Sequence, residues 1–263
     1  MLVSFRPGAL TCWGNAYLGG AASLDECVER TVHADALHRV TGVPDEPDAV
    51  SLAVALGRLR ASGVTGLRLV LPEPGDPTGL PGPRTTTDAA VAAGCAVLTV
   101  GPPEVAPLAL VPTVSAADRG DVVRWDVHAA AWAVPPAGLP SLAEADRGLS
   151  EALRATTADL DALDVASGRD AVGPRLVAID RSVRRIDLPA SLPARAQRMV
   201  AGASRLLGIL TVAAEGDGAA VTAGEAAGRA QALRPLRTAA RYALCAGYSA
   251  AAEPPRGGDG AAR

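Results

Sequence analysis

Apolar residues recur at every third or fourth position through much of the second half of the chain. Two stretches hold this spacing longest, at 142–163 and 191–215. The spacing keeps apolar side chains on one face of a helix, so each stretch is predicted to form a long amphipathic helix. A third helix is predicted to end near Ser249, with a kink at Pro235 because proline lacks a backbone N–H. The second half is therefore expected to be an amphipathic helical bundle.

Helix starts are marked by capping boxes, in which a hydroxyl and a glutamate three residues later each bond a free backbone N–H. Three such boxes lie at 23–26, 141–144 and 222–225. The first is predicted to open a helix that runs to about His38. Between the two long helices, residues 167–190 are predicted to be irregular, with a short strand at 176–179.

Short apolar runs separated by glycine and proline are typical of the first half. Four of them are predicted to be strands, at 66–71, 95–100, 108–115 and 122–127. The apolar run 66–71 is expected at the centre of the sheet, and the long segment after it allows a crossover to a parallel second strand. Helices are predicted at 9–19, 24–38 and 48–61, with a short one ending near 93. The chain is therefore predicted to be an α+β protein, predominantly helical, with a sheet of three or four strands in its N-terminal half.

Prolines between residues 135 and 140 mark the clearest boundary in the chain. An α/β-like part with the sheet is assigned to 1–137 and a helical part to 138–250. The two parts are expected to pack together, because a sheet needs a covering layer. Residues 251–263 are rich in small residues and proline and are predicted to be a disordered tail.

Composition excludes several kinds of chemistry. All 25 basic residues are arginine, which excludes a lysine Schiff base and with it pyridoxal-phosphate catalysis. The standard phosphate-binding loop also needs a lysine. The net charge of −3 gives no polyanion signal, and the four cysteines form no paired motif. The sequence shows no signal peptide and no apolar run near the roughly 20 residues of a membrane span, so a soluble cytoplasmic protein is expected.

The histidines do not form a recognisable metal site. His33 and His38 are five residues apart, which places them on different faces of the predicted helix. The sequence contains no HExxH motif, no paired Cys/His spacing and no GxSxG motif. We therefore predict no metal, no cofactor and no catalytic residue.

The loop at 72–84 is the candidate site. It follows an apolar strand, where α/β proteins place ligands, and the next helix is expected to be capped near Thr85 with N–H groups open to an anion. The candidate ligand-binding residues are Gly75, Asp76, Gly79, Gly82 and Arg84. A structural interpretation stays open, in which prolines stiffen the connection and Arg84 pairs with a nearby carboxylate.

Four arginines of the last predicted helix raise the question of DNA binding. They are Arg229, Arg234, Arg237 and Arg241. Two helices around Pro235 would resemble a helix-turn-helix, but the spacing does not suit a compact one, which argues against nucleic acid as the partner.

Three segments carry a resemblance to a known family: GLRLVLPEPGDPTGLPGP, SLAEADRGLSEAL and AGEAAGRAQALRPL. Over residues 20–250 the chain resembles a family of uncharacterised proteins from high-GC actinobacteria. The family has no assigned activity, so the resemblance implies no catalytic residue.

The first functional hypothesis is a non-enzymatic adaptor or regulatory protein that binds a protein partner, because the long helices offer apolar surface. The second is a protein or enzyme that binds a small anionic ligand at loop 72–84. The third is a DNA-binding regulator.

Overall fold

The structure is a computed structural model that describes residues 5–77, 79–80, 82–131, 139–162, 169–215 and 223–252. The helices described are α1 (Arg6–Leu18), α2 (Leu24–Val32), α3 (Leu52–Ala61), α4 (Arg84–Ala93), α5 (Leu142–Ala162), α6 (Arg169–Val183), α7 (Ala194–Glu215) and α8 (Ala223–Ser249), followed by a 3-10 turn at Ala250–Ala252. The strands are β1 (Leu37–Thr41), β2 (Val50–Ser51), β3 (Gly66–Val70), β4 (Ala96–Val100), β5 (Leu108–Ser115) and β6 (Val122–Ala129).

The strands form one mixed sheet in the order β2-β1-β6-β5-β4-β3. Among the described strands, only β1 and β6 pair in parallel, with His38 opposite Val123. The α+β, mainly helical fold is confirmed, but the described part of the chain has six strands rather than three or four. The prediction missed β1 because it continued α2 to His38. The helix ends at Val32, since His33 takes a left-handed φ of 48°.

Strand β3 lies at an edge of the sheet, not at its centre, and pairs antiparallel with β4. The predicted parallel pairing was wrong because the loop and α4 return to the same end of the sheet, where Val70 lies opposite Ala96. The buried pattern that suggested a central strand has another cause. Helices α1 and α8 cover β3, and Leu67 and Leu69 are fully buried.

Two side chains bond the backbone at the outer edge of β3. Asn15 on α1 accepts from the Leu67 N–H at 2.7 Å and donates to the Leu67 carbonyl at 2.9 Å. Ser249 at the end of α8 accepts from the Leu69 N–H at 2.9 Å. Together these side chains take the place of a neighbouring strand, which satisfies groups that would otherwise be buried without partners.

The helical second half is confirmed, with one correction. Residues 169–183 form helix α6, where an irregular segment and a strand at 176–179 were predicted. Gly173 and Pro174 suggested a break, but Pro174 lies inside the helix, and Leu176 and Val177 are exposed, so no apolar stripe was visible. Of the capping boxes, Ser23 accepts from the Glu26 N–H at 3.1 Å and Ser141 from the Glu144 N–H at 3.3 Å, while Thr222, which would cap the third helix, lies outside the described residues.

The larger of two hydrophobic clusters in the described part of the chain joins the sheet to the helices. It contains Leu10 of α1, Trp125 of β6, Val200 of α7 and Leu244 of α8, all nearly inaccessible. Helix α8 contacts α5, α7, α1 and β3, so it lies between the helical bundle and the sheet edge. The division at residues 137 and 138 stays a prediction, and 253–263 of the predicted tail lie outside the described residues. In the described part of the chain, the helices are all too short or too polar to cross a membrane.

Candidate anion-binding site

The predicted site at loop 72–84 is joined to helix α8. Arg241 of α8 pairs with the Asp76 carboxylate and donates to the Leu71 carbonyl at 2.8 Å. The Tyr242 hydroxyl donates to the second oxygen of Asp76 at 3.0 Å. Because the Arg241 side chain is only 5% exposed, this cluster lies between the loop and the helix rather than at the surface. Asp76 therefore anchors the loop to α8.

The other predicted residues of this loop do not converge on Asp76. The Arg84 side chain is 93% exposed and lies 3.5 Å from Asp88, the next turn of its own helix. Gly75, with a φ of 85°, makes the turn that returns Asp76 to Glu73. Gly79 also has a positive φ of 89°, and a Cβ there would lie 2.7 Å from Leu139. The Gly82 carbonyl accepts from the Ala131 N–H at 2.7 Å.

The helix after the loop starts without the predicted threonine cap. Helix α4 begins at Arg84, and the side chain of its N-cap Pro83 has no polar atom that could accept from the free N–H groups of the helix. The Thr86 hydroxyl instead donates to the Ala129 carbonyl at 2.7 Å, which joins α4 to the end of β6. A ligand role for loop 72–84 stays a prediction, but its contacts favour the structural interpretation.

A different set of residues encloses a cleft of about 60 Å³ where α1, α2 and α8 meet the segment 184–193. We call it the arginine cleft. The basic part of its lining consists of Arg6, Arg30, His33 and Arg185. The apolar part consists of Phe5, Ala9, Ile186 and Tyr248, and Thr31 and Asp187 complete the lining.

Arg6 is held in place by two carboxylates. Its Nε and Nη2 atoms donate to Asp35 at 2.6 and 2.7 Å, and Nη2 also donates to Asp121 at 2.6 Å. Burial acts to raise the pKa of Asp35, but the hydrogen bonds from Arg6 and His38 outweigh burial and hold that pKa below its ordinary value. Asp35 is therefore ionised at neutral pH. Among the described residues no hydrogen bond occupies the Nη1 atom of Arg6, so this donor is available to a ligand.

His38 supports Asp35 from inside the protein. The Trp125 indole N–H donates to Nδ1 of His38 at 3.3 Å, and Nε2 of His38 lies 2.9 Å from Asp35. Because an indole N–H can only donate, Nδ1 accepts and Nε2 carries the proton that it donates to Asp35. Burial lowers the pKa of His38, and the hydrogen bond with Asp35 only partly offsets burial. Both ring nitrogens are engaged, so His38 positions Asp35 rather than acting as a general base.

Arg30 and Thr31 supply donors from α2. The Arg30 guanidinium lies 5.4 Å from the centre of the Trp13 ring and donates to Asp187 at 3.1 Å. Thr31 is only 2% exposed, and its hydroxyl has no hydrogen-bond partner in the described part of the chain; the Cys27 thiol beside it is a weak partner at best. A buried hydroxyl without a partner is costly, so a ligand that reached this oxygen would gain a hydrogen bond there.

His33 reaches the cleft through an unusual backbone conformation. Its φ of 48° is rare for a residue with a side chain, and it ends α2 with an N–H bonded to the Glu29 carbonyl at 2.9 Å. Strain of this kind is often found at binding sites. From the sequence, His33 was evaluated only as a metal ligand, and no metal site was predicted. In the described residues no group of three His, Cys, Asp or Glu side chains lies close enough to hold a metal ion.

Sequence reasoning missed the arginine cleft because its residues are far apart in the chain. Arg6 and Arg185 come from opposite halves, and no motif spacing links them to Thr31. Among the described side chains, the arginines of α8 that were considered for DNA binding do not line this cleft. Arg237 donates to Glu73 at 2.9 Å and Arg241 is buried, so both serve the junction with loop 72–84. DNA binding through α8 stays a prediction that this geometry does not favour.

Comparison with known proteins gives two family matches and two relatives. A model of the N-terminal domain of Rv1486c-like protein matches residues 8–140, and a model of its C-terminal domain matches 143–245. The relatives come from two strains of Mycobacterium tuberculosis and are named "Uncharacterized protein MT1533" and "Uncharacterized protein Rv1486c". They are 28% and 29% identical over 277 and 280 residues, which cover 92% of this chain and 95% of each relative. No solved structure matches the chain.

These matches confirm the predicted membership of an actinobacterial family without an assigned activity. They span the sheet and the helices alike. The chain belongs to the Rv1486c-like protein family.

Proposed function

We propose that the protein is a cytoplasmic binding protein that holds a small organic anion in the arginine cleft. The observation that carries this proposal is the Thr31 hydroxyl, which is buried without a good partner among basic side chains. Arg6 adds a donor whose position is already fixed by Asp35 and Asp121. Donors that need no rearrangement on binding lower the entropic cost of holding a ligand. The four cysteines are free thiols, which suits the reducing cytoplasm.

The geometry favours binding over catalysis. The buried His38 has both nitrogens engaged, and Asp35 is ionised against Arg6. Arginine recognises anions through fixed charge and planar donors rather than through proton transfer.

Binding of a protein partner is the second candidate. It is favoured by large apolar side chains that are exposed on three helices of the second half: Leu153, Leu176, Val177 and Ile209. Val177 is 59% exposed, the largest fraction among them. Exposed apolar surface of this kind marks interfaces only when it is contiguous, so the cleft carries the stronger argument.

Replacement of Arg30 by glutamine is expected to weaken the binding of phenyl phosphate about tenfold, because a charge-assisted hydrogen bond to the anion is lost. Calorimetric titration of the full chain measures this effect. Phenyl phosphate is a suitable probe because it joins an anionic group to an apolar ring.

Arg195→Gln is the matched control. Arg195 pairs with Asp146 at 2.8 Å and is 52% exposed, close to the 47% of Arg30, but it does not line the cleft. We expect this variant to bind like the wild type. Equal affinities of the wild type and Arg30→Gln would show that the cleft is not the site.

A further inference from the structure

We propose that the ligand of the arginine cleft is a phosphate monoester with an apolar ester group, and that Asp187 acts as an internal competitor against carboxylates. This inference rests on the proposed function and names its ligand class.

The donors of the cleft come from three separate elements of the fold. Arg6 belongs to α1, Arg30 and Thr31 belong to α2, and Arg185 follows α6. A carboxylate offers two oxygens in one plane, whereas a phosphoryl group offers three oxygens around a tetrahedral centre. Donors that approach from several directions therefore suit the phosphoryl group better.

The size of the cleft agrees with a phosphoryl group. A volume of 60 Å³ exceeds the roughly 10–15 Å³ that a cavity needs to hold one water molecule, so the cleft has room for a group of several heavy atoms such as a phosphoryl group. The ester group would then lie beside the phosphoryl group, and apolar side chains such as Ile186 and Phe5 belong to the same lining. An apolar ester group would gain from covering them.

Asp187 already places a carboxylate in the cleft. Its Oδ2 atom lies 3.1 Å from Arg30, and its side chain is 51% exposed on the segment between α6 and α7. A tethered group of this kind competes at an effective concentration on the order of millimolar. A free carboxylate carries the same single negative charge as Asp187. It must displace Asp187 from Arg30, and the exchange brings it no additional electrostatic attraction.

A phosphate monoester overcomes this competitor more readily. Its second pKa is about 6, so it is mostly a dianion at pH 8 and is attracted more strongly to the guanidinium groups. Arg6 is already neutralised by Asp35 and Asp121, so a ligand meets the charge of Arg185 and, once it displaces Asp187, that of Arg30.

The test compares phenyl phosphate with benzoate at pH 8 by calorimetric titration. The wild type is expected to bind phenyl phosphate at least about tenfold more tightly than benzoate, because the phosphate dianion carries one more negative charge than the carboxylate. Asp187→Asn is expected to raise the affinity for benzoate about three- to fivefold, the factor by which an exposed ion pair competes. Asp146→Asn, which disrupts the matched pair with Arg195, should leave both affinities unchanged.

The outcomes separate the two proposals. Equal wild-type affinities for the two ligands would overturn the phosphate monoester, and a benzoate affinity that does not change in Asp187→Asn would overturn the competitor. In both cases binding that depends on Arg30 would leave the anion-binding function standing. If neither ligand binds to any variant, the proposed function fails, and this inference fails with it.

Discussion

Replacement of Asn15 by leucine is expected to lower the free energy of unfolding by about 3 kcal/mol, because two buried backbone groups lose their partners at once. Asn15 both accepts from and donates to Leu67, and Leu67 is fully buried under α1 and α8. Water cannot reach the unpaired N–H and carbonyl in the folded protein. Urea denaturation followed by circular dichroism measures the change.

Amide hydrogen exchange shows whether the loss has the expected location. In Asn15→Leu the Leu67 amide should lose protection, while the Leu98 amide of the interior strand β4 should keep its protection. Thr65→Val is the control, since Thr65 lies one residue before β3 and its hydroxyl makes an exposed bond of 3.4 Å to the Val100 carbonyl, while its backbone N–H bond to the same carbonyl survives the substitution. Its stability should stay within about 0.5 kcal/mol of the wild type. An Asn15→Leu protein as stable as this control would mean that the edge of β3 does not need the amide.

Replacement of Asp35 by alanine is expected to cost about 3 kcal/mol of stability, because the buried partner of Arg6 and His38 is removed. The Asp35 side chain is only 6% exposed, and it bonds both residues. Arg6 keeps Asp121, but the Asp121 side chain is 40% exposed and makes one bond instead of two. Thermal or urea unfolding gives the stability of the variant.

The same variant is expected to bind phenyl phosphate about tenfold more weakly at a temperature where it is fully folded, because Arg6 is then held by one bond to Asp121 instead of three bonds to two carboxylates. Asp146→Ala is the control for both measurements. Asp146 is 50% exposed and pairs only with Arg195 among the described contacts, so its loss should change stability by less than about 1 kcal/mol. If Asp35→Ala kept wild-type stability and affinity, the series of hydrogen bonds from Trp125 through His38 and Asp35 to Arg6 would contribute neither to stability nor to binding.

The sequence predicted most of the local structure correctly, because local signals set it. Ser23 and Ser141 cap the helices that their glutamates indicated, and the apolar spacing located α5, α7 and α8. Helix α6 was missed because Gly173 and Pro174 are typical breakers. Pro174 is nevertheless accommodated within the helix.

The pairing of the strands could not be predicted from the sequence in the same way. The run of apolar residues in β3 correctly indicated burial, but burial and central position are different properties. The groups that close its edge lie 52 residues before it, at Asn15, and 180 residues after it, at Ser249. Strand β1 was missed for a local reason. The positive φ of His33 ends α2, whereas the spacing of apolar residues predicted that the helix would continue to His38.

The candidate site illustrates the same limit. Loop 72–84 was chosen because its composition is unusual, and its Asp76 proves to be occupied by Arg241 and Tyr242 of α8. The arginine cleft has no local signature. Its donors become visible only when α1, α2 and the segment after α6 are packed together.

The most direct test of the arginine cleft is a crystal structure of the protein with selenate, a dianion of the shape of phosphate whose selenium is located by anomalous scattering. We predict a selenium peak in the cleft, with selenate oxygens about 3 Å from Nη1 of Arg6 and the hydroxyl of Thr31. An empty cleft at saturating selenate, with anomalous peaks only elsewhere on the molecule, would contradict the account.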